Sequence, residues 1–377
     1  MNKIYLLTAA FAVMASLSGC SDTELASIDT AQEKTPIGFH TVGSQMGSRA
    51  TIIDNGNLTD YSFNVYAFIS NGNGTDGDLF MGTVDTGAET GGVKISHDGS
   101  KWNYADPKNL KYWPTDALNF YAVSPASDPI LYSWQISQTK KEIHYASYDE
   151  YANETNPSYT DVMYAIATDK RKADNGGTVQ LQFKHITSQI VFMAKKTSNL
   201  NVEIKSIKLH NFETNSVFTI PTNGTDPQQN SWSHNPIPNS NGFTVINKKD
   251  AAIKVGTEAT DISTKTPMFL IPQGLTKWDI SHNIETANAK KESYLSIECK
   301  ISIGNFYKLG SESGYGTLYV PFEADWQPGK RYVYTLIFGG GYDDQGKPIL
   351  TPINFDASTE DWVAGNTTTG NNINIQQ

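Results

Sequence analysis

Apolar side chains recur at every second position along most of this chain, and that period decides what it can fold into. Phe63, Val65, Ala67 and Ile69 share one parity, and Leu118, Phe120 and Ala122 share another, with Tyr121 and Val123 on the opposite face. The alternation returns at Leu181 and Phe183, at Ile190 and Phe192, from Tyr332 to Phe338, and through Leu295, Ile297, Cys299, Ile301 and Ile303. A period of two puts successive side chains on opposite faces of a strand, one toward a core and one toward water. Between the runs stand Asn71-Gly72-Asn73-Gly74, Asp174-Asn175-Gly176-Gly177, Asn239-Ser240-Asn241-Gly242 and Gly339-Gly340-Gly341, whose residues suit tight turns. No helical period persists beyond about two turns. The chain is therefore expected to be all-β, with two β-sandwich domains at 35–173 and 174–362. The break is expected between Lys170 and Gly177, where charged and turn residues cluster before a fresh strand series at Val179.

The N-terminus reads differently. Lys3 precedes an apolar run, Ile4 to Leu17, interrupted only by Thr8 and Ser16, too short and too early for a membrane-spanning helix. It ends in Leu17-Ser18-Gly19-Cys20, the small-residue pattern of a lipoprotein signal, so 1–19 is expected to be removed and the Cys20 thiol to carry lipid, palmitate included. Residues 20–34 hold few large apolar side chains and read as a tether. With Cys20 lipidated, Cys299 is the only other cysteine and has no disulfide partner; within its alternating run it is expected to pack as a small hydrophobe.

Charge and motif spacing narrow the function classes. A formal net charge of −10 disfavours nucleic acid, which needs basic patches to displace counterions. The 7 histidines show no metal-ligand spacing, Ser137-Gln138-Thr139-Lys140 lacks the companion motifs of serine acyl-enzymes, and no constellation of nucleophile, base and acid assembles. Neither an enzyme nor a bound cofactor is expected. His185 reads as a structural histidine at a strand start. Asn71 to Asp78 is dense in side-chain oxygens, the donors calcium prefers, yet it departs from the EF-hand spacing and reads better as a hairpin loop. Tyr132, Trp134, Tyr145, Tyr148, Tyr151 and Tyr159 gather enough aromatic surface for sugar stacking, which keeps a glycan-binding or host-protein-binding adhesin as an alternative.

Five segments, in order, resemble the fimbrillin family, the type V pilins of Bacteroidota. Ile37-Gly38-Phe39 precedes Ser48-Arg49-Ala50-Thr51, and Tyr112-Trp113-Pro114 runs into Leu118-Asn119-Phe120-Tyr121-Ala122. Leu181-Gln182-Phe183-Lys184-His185 is followed by Ile204-Lys205-Ser206-Ile207-Lys208-Leu209, and Phe269-Leu270-Ile271-Pro272-Gln273 leads toward Trp278. Trp326-Gln327-Pro328-Gly329-Lys330-Arg331-Tyr332 precedes Pro352-Ile353 and Glu360-Asp361-Trp362. The resemblance implies transthyretin-like sandwiches and a structural subunit of a surface fimbria, anchored to the cell outer membrane through lipid on Cys20. It implies a trypsin-like cut between Arg49 and Ala50 that removes the strand around Pro36 to Val42, and assembly with other pilin subunits by strand exchange into the emptied groove. Residues 363–377 are the candidate donor, with Ile373 and Ile375 alternating with asparagine as its anchors.

Overall fold

The computed structural model describes residues 34–42, 57–83, 91–126, 132–147, 152–153, 156–157, 161–197, 199–222, 224–234, 241–247, 251–263, 268–339, 341–350, 354–361 and 373–374. In chain order the first strands are β1 (Gly38–Val42), β2 (Phe63–Ser70), β3 (Asp76–Met81), β4 (Val93–His97), β5 (Trp102–Tyr104) and β6 (Leu118–Ser124). They are followed by β7 (Tyr132–Ile136), β8 (Lys141–Ala146), the short pair β9 (Ala152–Asn153) and β10 (Asn156–Pro157), then β11 (Met163–Lys170), β12 (Thr178–Gln182) and β13 (Lys184–His185). Next come β14 (Ser188–Lys196), β15 (Asn201–His210), β16 (Asn215–Thr219), β17 (Phe243–Asn247), β18 (Ile253–Lys254), β19 (Thr260–Asp261), β20 (Met268–Leu270) and β21 (Gly274–Leu275). One short helix, α1 (Ile284–Lys290), intervenes. The last strands are β22 (Tyr294–Ile303), β23 (Phe306–Leu309), β24 (Gly316–Pro321), β25 (Ala324–Asp325), β26 (Lys330–Phe338), β27 (Gly341–Tyr342), β28 (Pro348–Leu350), β29 (Asn354–Asp361) and β30 (Ile373–Asn374).

The second half is a two-layer sandwich. One sheet runs β19-β14-β26-β29-β30 with β20 also on β14; the other runs β17-β15-β22-β24-β27-β28, with β18 on β15 and β23 on β22. The alternating residues of each sheet meet in one core: Ile190 and Phe192 with Tyr334 and Leu336 from the first, Ile207, Leu209, Leu295, Ile297, Cys299 and Ile301 from the second. Cys299 is fully buried and unpaired, and burial pushes its thiol up to about 12, so it packs as a hydrophobe.

The first half is built in three layers. Its central sheet runs β13-β11-β6-β2-β4-β5, with β3 also paired to β2. On one face Phe63, Val65, Ala67, Leu118, Phe120 and Ala122 pack under Ile37, Phe39, Val179 and Leu181 of β1 and β12. On the other, Tyr66, Phe68, Tyr121 and Val123 pack under Trp134, Ile136, Ile143, Tyr145 and Phe218 from the small sheet β16-β8-β7. The parities are those of the sequence, but the half-buried reading is not: every residue of β6 is buried, because aromatic side chains occupy both parities and each face found a covering layer.

Strands from either side of position 174 share these cores. Val179, Leu181 and Phe183 pack with the first half, and Phe218 and Trp232 close its far layer through β16 pairing antiparallel with β8. The residues between Asp174 and Gly177 do form the expected turn. The chain then passes through β12 and β13 and enters the second sandwich only at β14.

Candidate assembly site

β1 is a five-residue strand that covers one face of the first core, and the sequence at and just before it explains how. Ile37 and Phe39 point inward, 1% and 7% exposed, while His40 between Phe39 and Thr41 faces out. The Phe39 ring lies edge-on to Phe63 at 6.0 Å and to Phe120 at 6.2 Å, and tilted against Tyr104 at 6.0 Å, contacts that add to plain area burial. Along one edge β1 pairs in parallel with β12, Gly38 opposite Thr178 through Val42 opposite Gln182. Its last carbonyl, on Val42, accepts from the Phe183 N–H at 2.9 Å.

The other edge is held at one end. Ile37 N–H donates to Lys111 O at 2.9 Å, Trp113 N–H donates to Thr35 O at 3.1 Å, and the Tyr104 hydroxyl donates to Ile37 O at 3.2 Å. Burial raises the Tyr104 hydroxyl to about 12, so it stays a donor at every physiological pH. Gly177, at φ +85, immediately precedes β12 at a place where a Cβ would meet Thr35 Cγ2 at 3.0 Å and Trp113 Nε1 at 3.1 Å. The Trp113 indole uses that close approach to donate to Gly177 O at 2.7 Å. Beside β12, toward β11, a cleft of ≈ 540 Å³ opens, lined by Val42, Trp113, Ile166, Arg171, Asp174 and Gln180 among others.

A second polar cluster occupies the loop that sequence offered to calcium. Asp76 Oδ2 lies 2.8 Å from Lys141 Nζ, with side chains 7% and 6% exposed, and its Oδ1 accepts from Asn119 Nδ2 at 2.8 Å and the Tyr121 hydroxyl at 3.2 Å. The Lys141 ammonium also sits over the Phe68 and Tyr121 rings at 4.6 and 4.7 Å and bonds the Ser137 carbonyl. Asp169 holds the loop from outside through Gly74 N–H at 2.9 Å and the Ser70 hydroxyl. The carboxylates are thus committed to the protein's own donors, and among the described residues no group of three or more metal-ligating side chains gathers.

The structure also redirects the aromatic cluster. Trp134 and Tyr145 are 5% and 1% exposed; the indole donates to the Tyr66 hydroxyl at 3.0 Å and the Tyr145 hydroxyl to Phe269 O at 2.9 Å, so neither offers a stacking face to a sugar. The Tyr132 side chain, Tyr148, Tyr151 and Tyr159 lie outside the described residues, as do Cys20, Arg49, Ala50 and Ile375. Ile373 lies in β30, opposite Ala357 of β29. His185 bonds Asp161 at 2.8 Å inside the core, a structural pair.

The model of one protein family, described as fimbrillin-like, matches residues 48–362. The chain belongs to the fimbrillin-like family. A fimbrillin-like chain is a fimbrial protein of the cell surface rather than an enzyme. Among solved structures it resembles a fimbrial protein from Bacteroides vulgatus at 16% identity and a TM-score of 0.56, covering 87% of this chain and 99% of that one. That likeness shows a shared fold. Weaker likenesses reach a cell adhesion protein from Bacteroides ovatus, at 12% identity, TM-score 0.46 and coverage of 88% and 99%, and the tip fimbrial protein Mfa3 from Porphyromonas gingivalis, at 10%, 0.39 and coverage of 84% and 98%. Among curated proteins no sequence match is found. Sequence reasoning singled out the fimbrillin-like segments around Gly38 and Trp113 but not Tyr104 or the β12 partnership, since parallel pairing between distant segments leaves no local signal.

Proposed function

We propose that this fimbrillin-like chain is a polymerising subunit of a surface fimbria. It is exported as a lipoprotein through Cys20, held in the outer membrane, and assembled with other pilin subunits by strand exchange once a cut after Arg49 releases β1. The observation that carries the reading is the manner in which β1 is held: a five-residue strand with Phe39 turned inward, Ile37 buried just before it, and a single continuous ladder. Its loss would uncover Phe63, Phe120, Val179 and Leu181 and leave β12 an open edge, a template for β-augmentation. A replacement needs apolar residues two apart to fill the places of Ile37 and Phe39. Ile373 and Ile375 have that spacing, and among the described residues β30 is paired to β29 through Ile373 opposite Ala357 and Asn374 opposite Asp356.

An N-terminal strand tethered to its own groove competes at high effective concentration, so the uncut chain should stay monomeric. The test is trypsin digestion of the purified chain. The reading expects a new N-terminus at Ala50, followed by multimers that persist on gels run without boiling, and no multimers after deletion of Asn371 to Gln377. Resistance of Arg49 in the folded protein, together with fibres formed on cells by Arg49→Ala, would overturn it.

A further inference from the structure

Three acceptors surround the Lys141 ammonium, one for each of its protons: Asp76 Oδ2 at 2.8 Å, the Gln138 carbonyl at 3.3 Å and the Ser137 carbonyl. The rings of Phe68 and Tyr121 flank it. Asp76 Oδ1, the oxygen outside that ion pair, meets two donors, Asn119 Nδ2 at 2.8 Å and the Tyr121 hydroxyl at 3.2 Å. The Asn119 amide is fixed in this sense, because its Oδ1 accepts the Asp169 N–H at 2.8 Å and its Nδ2 also reaches Thr75 O at 3.1 Å. Burial, with the Asp76 charge beside it, holds the Tyr121 proton well above the ordinary tyrosine range. An amine and a carboxyl group are thus kept in contact, with both side chains largely out of water.

We infer that Asp76 and Lys141 close to an amide, a covalent bond between the two side chains. The step begins with transfer of one proton from Nζ to Oδ2 along the 2.8 Å contact, which removes both charges from a place where water solvates them poorly. The two N–H groups left on Lys141 stay with Ser137 O and Gln138 O, so the freed lone pair points along the line the proton took, at the carboxyl group. Nζ then attacks the carboxyl carbon, and the charge that develops on Oδ1 falls to Asn119 and Tyr121, the arrangement of an oxyanion hole. The Nζ–C bond forms and the C–Oδ2 bond breaks. Oδ2 leaves as water, carrying the transferred proton and a second one from Nζ. Nothing is oxidised or reduced, and no co-reactant is consumed. Holding the two groups in contact replaces the activation that amide formation between separate molecules needs.

The bond joins two layers. Asp76 opens β3, which pairs with β2 of the central sheet, and Lys141 opens β8 of the small outer sheet β16-β8-β7. In a fimbrial chain under tension it keeps the outer layer on the central sheet by a covalent link, where the aromatic side chains between them resist by packing alone. It lies on the face of the central sheet opposite β1, so it stands apart from strand exchange. With either partner replaced the bond cannot form, and variants of the pair report the fold without it.

The test is mass spectrometry of the purified full-length chain, denatured and then digested with trypsin. Peptides 50–94 and 141–170 should appear as one species, lighter than their sum by one water, with fragment ions that place the bond between Asp76 and Lys141. Cleavage after Lys141 should be lost, because an amide nitrogen carries no charge for trypsin to read. Lys141→Arg keeps a cation beside Asp76 but supplies no amine nucleophile. It should release peptide 50–94 alone, and on a denaturing gel it should migrate more slowly than wild type, whose loop is closed. Tyr121→Phe removes one of the two donors to Oδ1, and in protein sampled soon after synthesis it should slow the appearance of the linked species about a hundredfold. A linked species that forms as fast in Tyr121→Phe as in wild type would overturn the oxyanion role of Tyr121. Separate peptides of full mass, from wild type that circular dichroism shows to be folded, would overturn the inference and leave an ion pair only.

Discussion

Phe183 N–H donates to the Val42 carbonyl at 2.9 Å, the last bond of a parallel ladder between segments far apart in the chain. Beyond it, Lys184 and His185 pair with β11, so the end of β1 is fastened to the edge of the central sheet. The strand proposed to leave is thus anchored at the seam between two layers.

Phe39 is the side chain that holds it there. Phe39→Ala removes three ring contacts and should cost about 3–5 kcal/mol where the cavity cannot close. The expected outcome is faster hydrogen exchange at Val179 and Leu181 in the uncut chain, with the second sandwich unchanged. Equal loss of protection at Ile297 and Leu336 would show that β1 supports the whole unit rather than its own groove.

Asp76 and Lys141 carry a different prediction. Removing one member of a buried pair leaves the other charge without its partner, at a cost of about 3–5 kcal/mol, whereas replacing both by apolar residues is far milder. Asp76→Ala should therefore lower the urea midpoint more than the double change Asp76→Leu with Lys141→Met. Added calcium should leave the wild-type midpoint where it is, since Asn119, Tyr121 and Lys141 already satisfy the carboxylate.

Strand parity was legible because it is local. Phe63, Val65 and Ala67, or Ile190 and Phe192, declare their faces within a few residues, and each pair stands in the core its parity implies. What covers the second face is not local. Nothing near Tyr121 states that β8 and β16 will lie over it, and nothing near Val179 states that β1 will run beside it in parallel. The same limit turned Trp134 and Tyr145 from surface candidates into core residues: an aromatic reads alike from sequence whether its polar atom meets water or, as here, Tyr66 and the Phe269 carbonyl.

Lipid attachment has its own readout. Cys20→Ser removes the thiol that would accept diacylglycerol, and with it the acyl chains that hold a protein at a membrane. Palmitate labelling in cells should disappear and the chain should keep its first nineteen residues. Labelling that survives the change would refute the lipoprotein route while leaving the strand-exchange proposal to its own test.

The buried hydroxyls and thiol set the alkaline limit of the fold. Burial raises Tyr104, Tyr294 and Tyr332 from 10.0 to about 12, raises Tyr121, Tyr164 and Tyr334 further, and raises Cys299 from 9.0 to about 12. In the unfolded chain these groups ionise near 9 to 10, whereas the native state holds their protons to about 12. Across that window the unfolded state binds fewer protons, so stability is intact below about pH 9 and falls as pH rises. The urea midpoint should be flat from neutrality to about pH 9 and then decline. Absorbance at 295 nm should show exposed tyrosines titrating near 10, with the buried set appearing only as the protein unfolds. At pH 8 a thiol reagent should leave Cys299 of the Thr35–Gln377 unit unmodified until denaturant is added. Rapid modification of the native protein would mean that Cys299 reaches water and that the core assigned to the second sandwich is wrong, whereas a smooth titration of all tyrosines near 10 without loss of structure would mean that the three-layer packing around Tyr121 and Tyr164 is wrong.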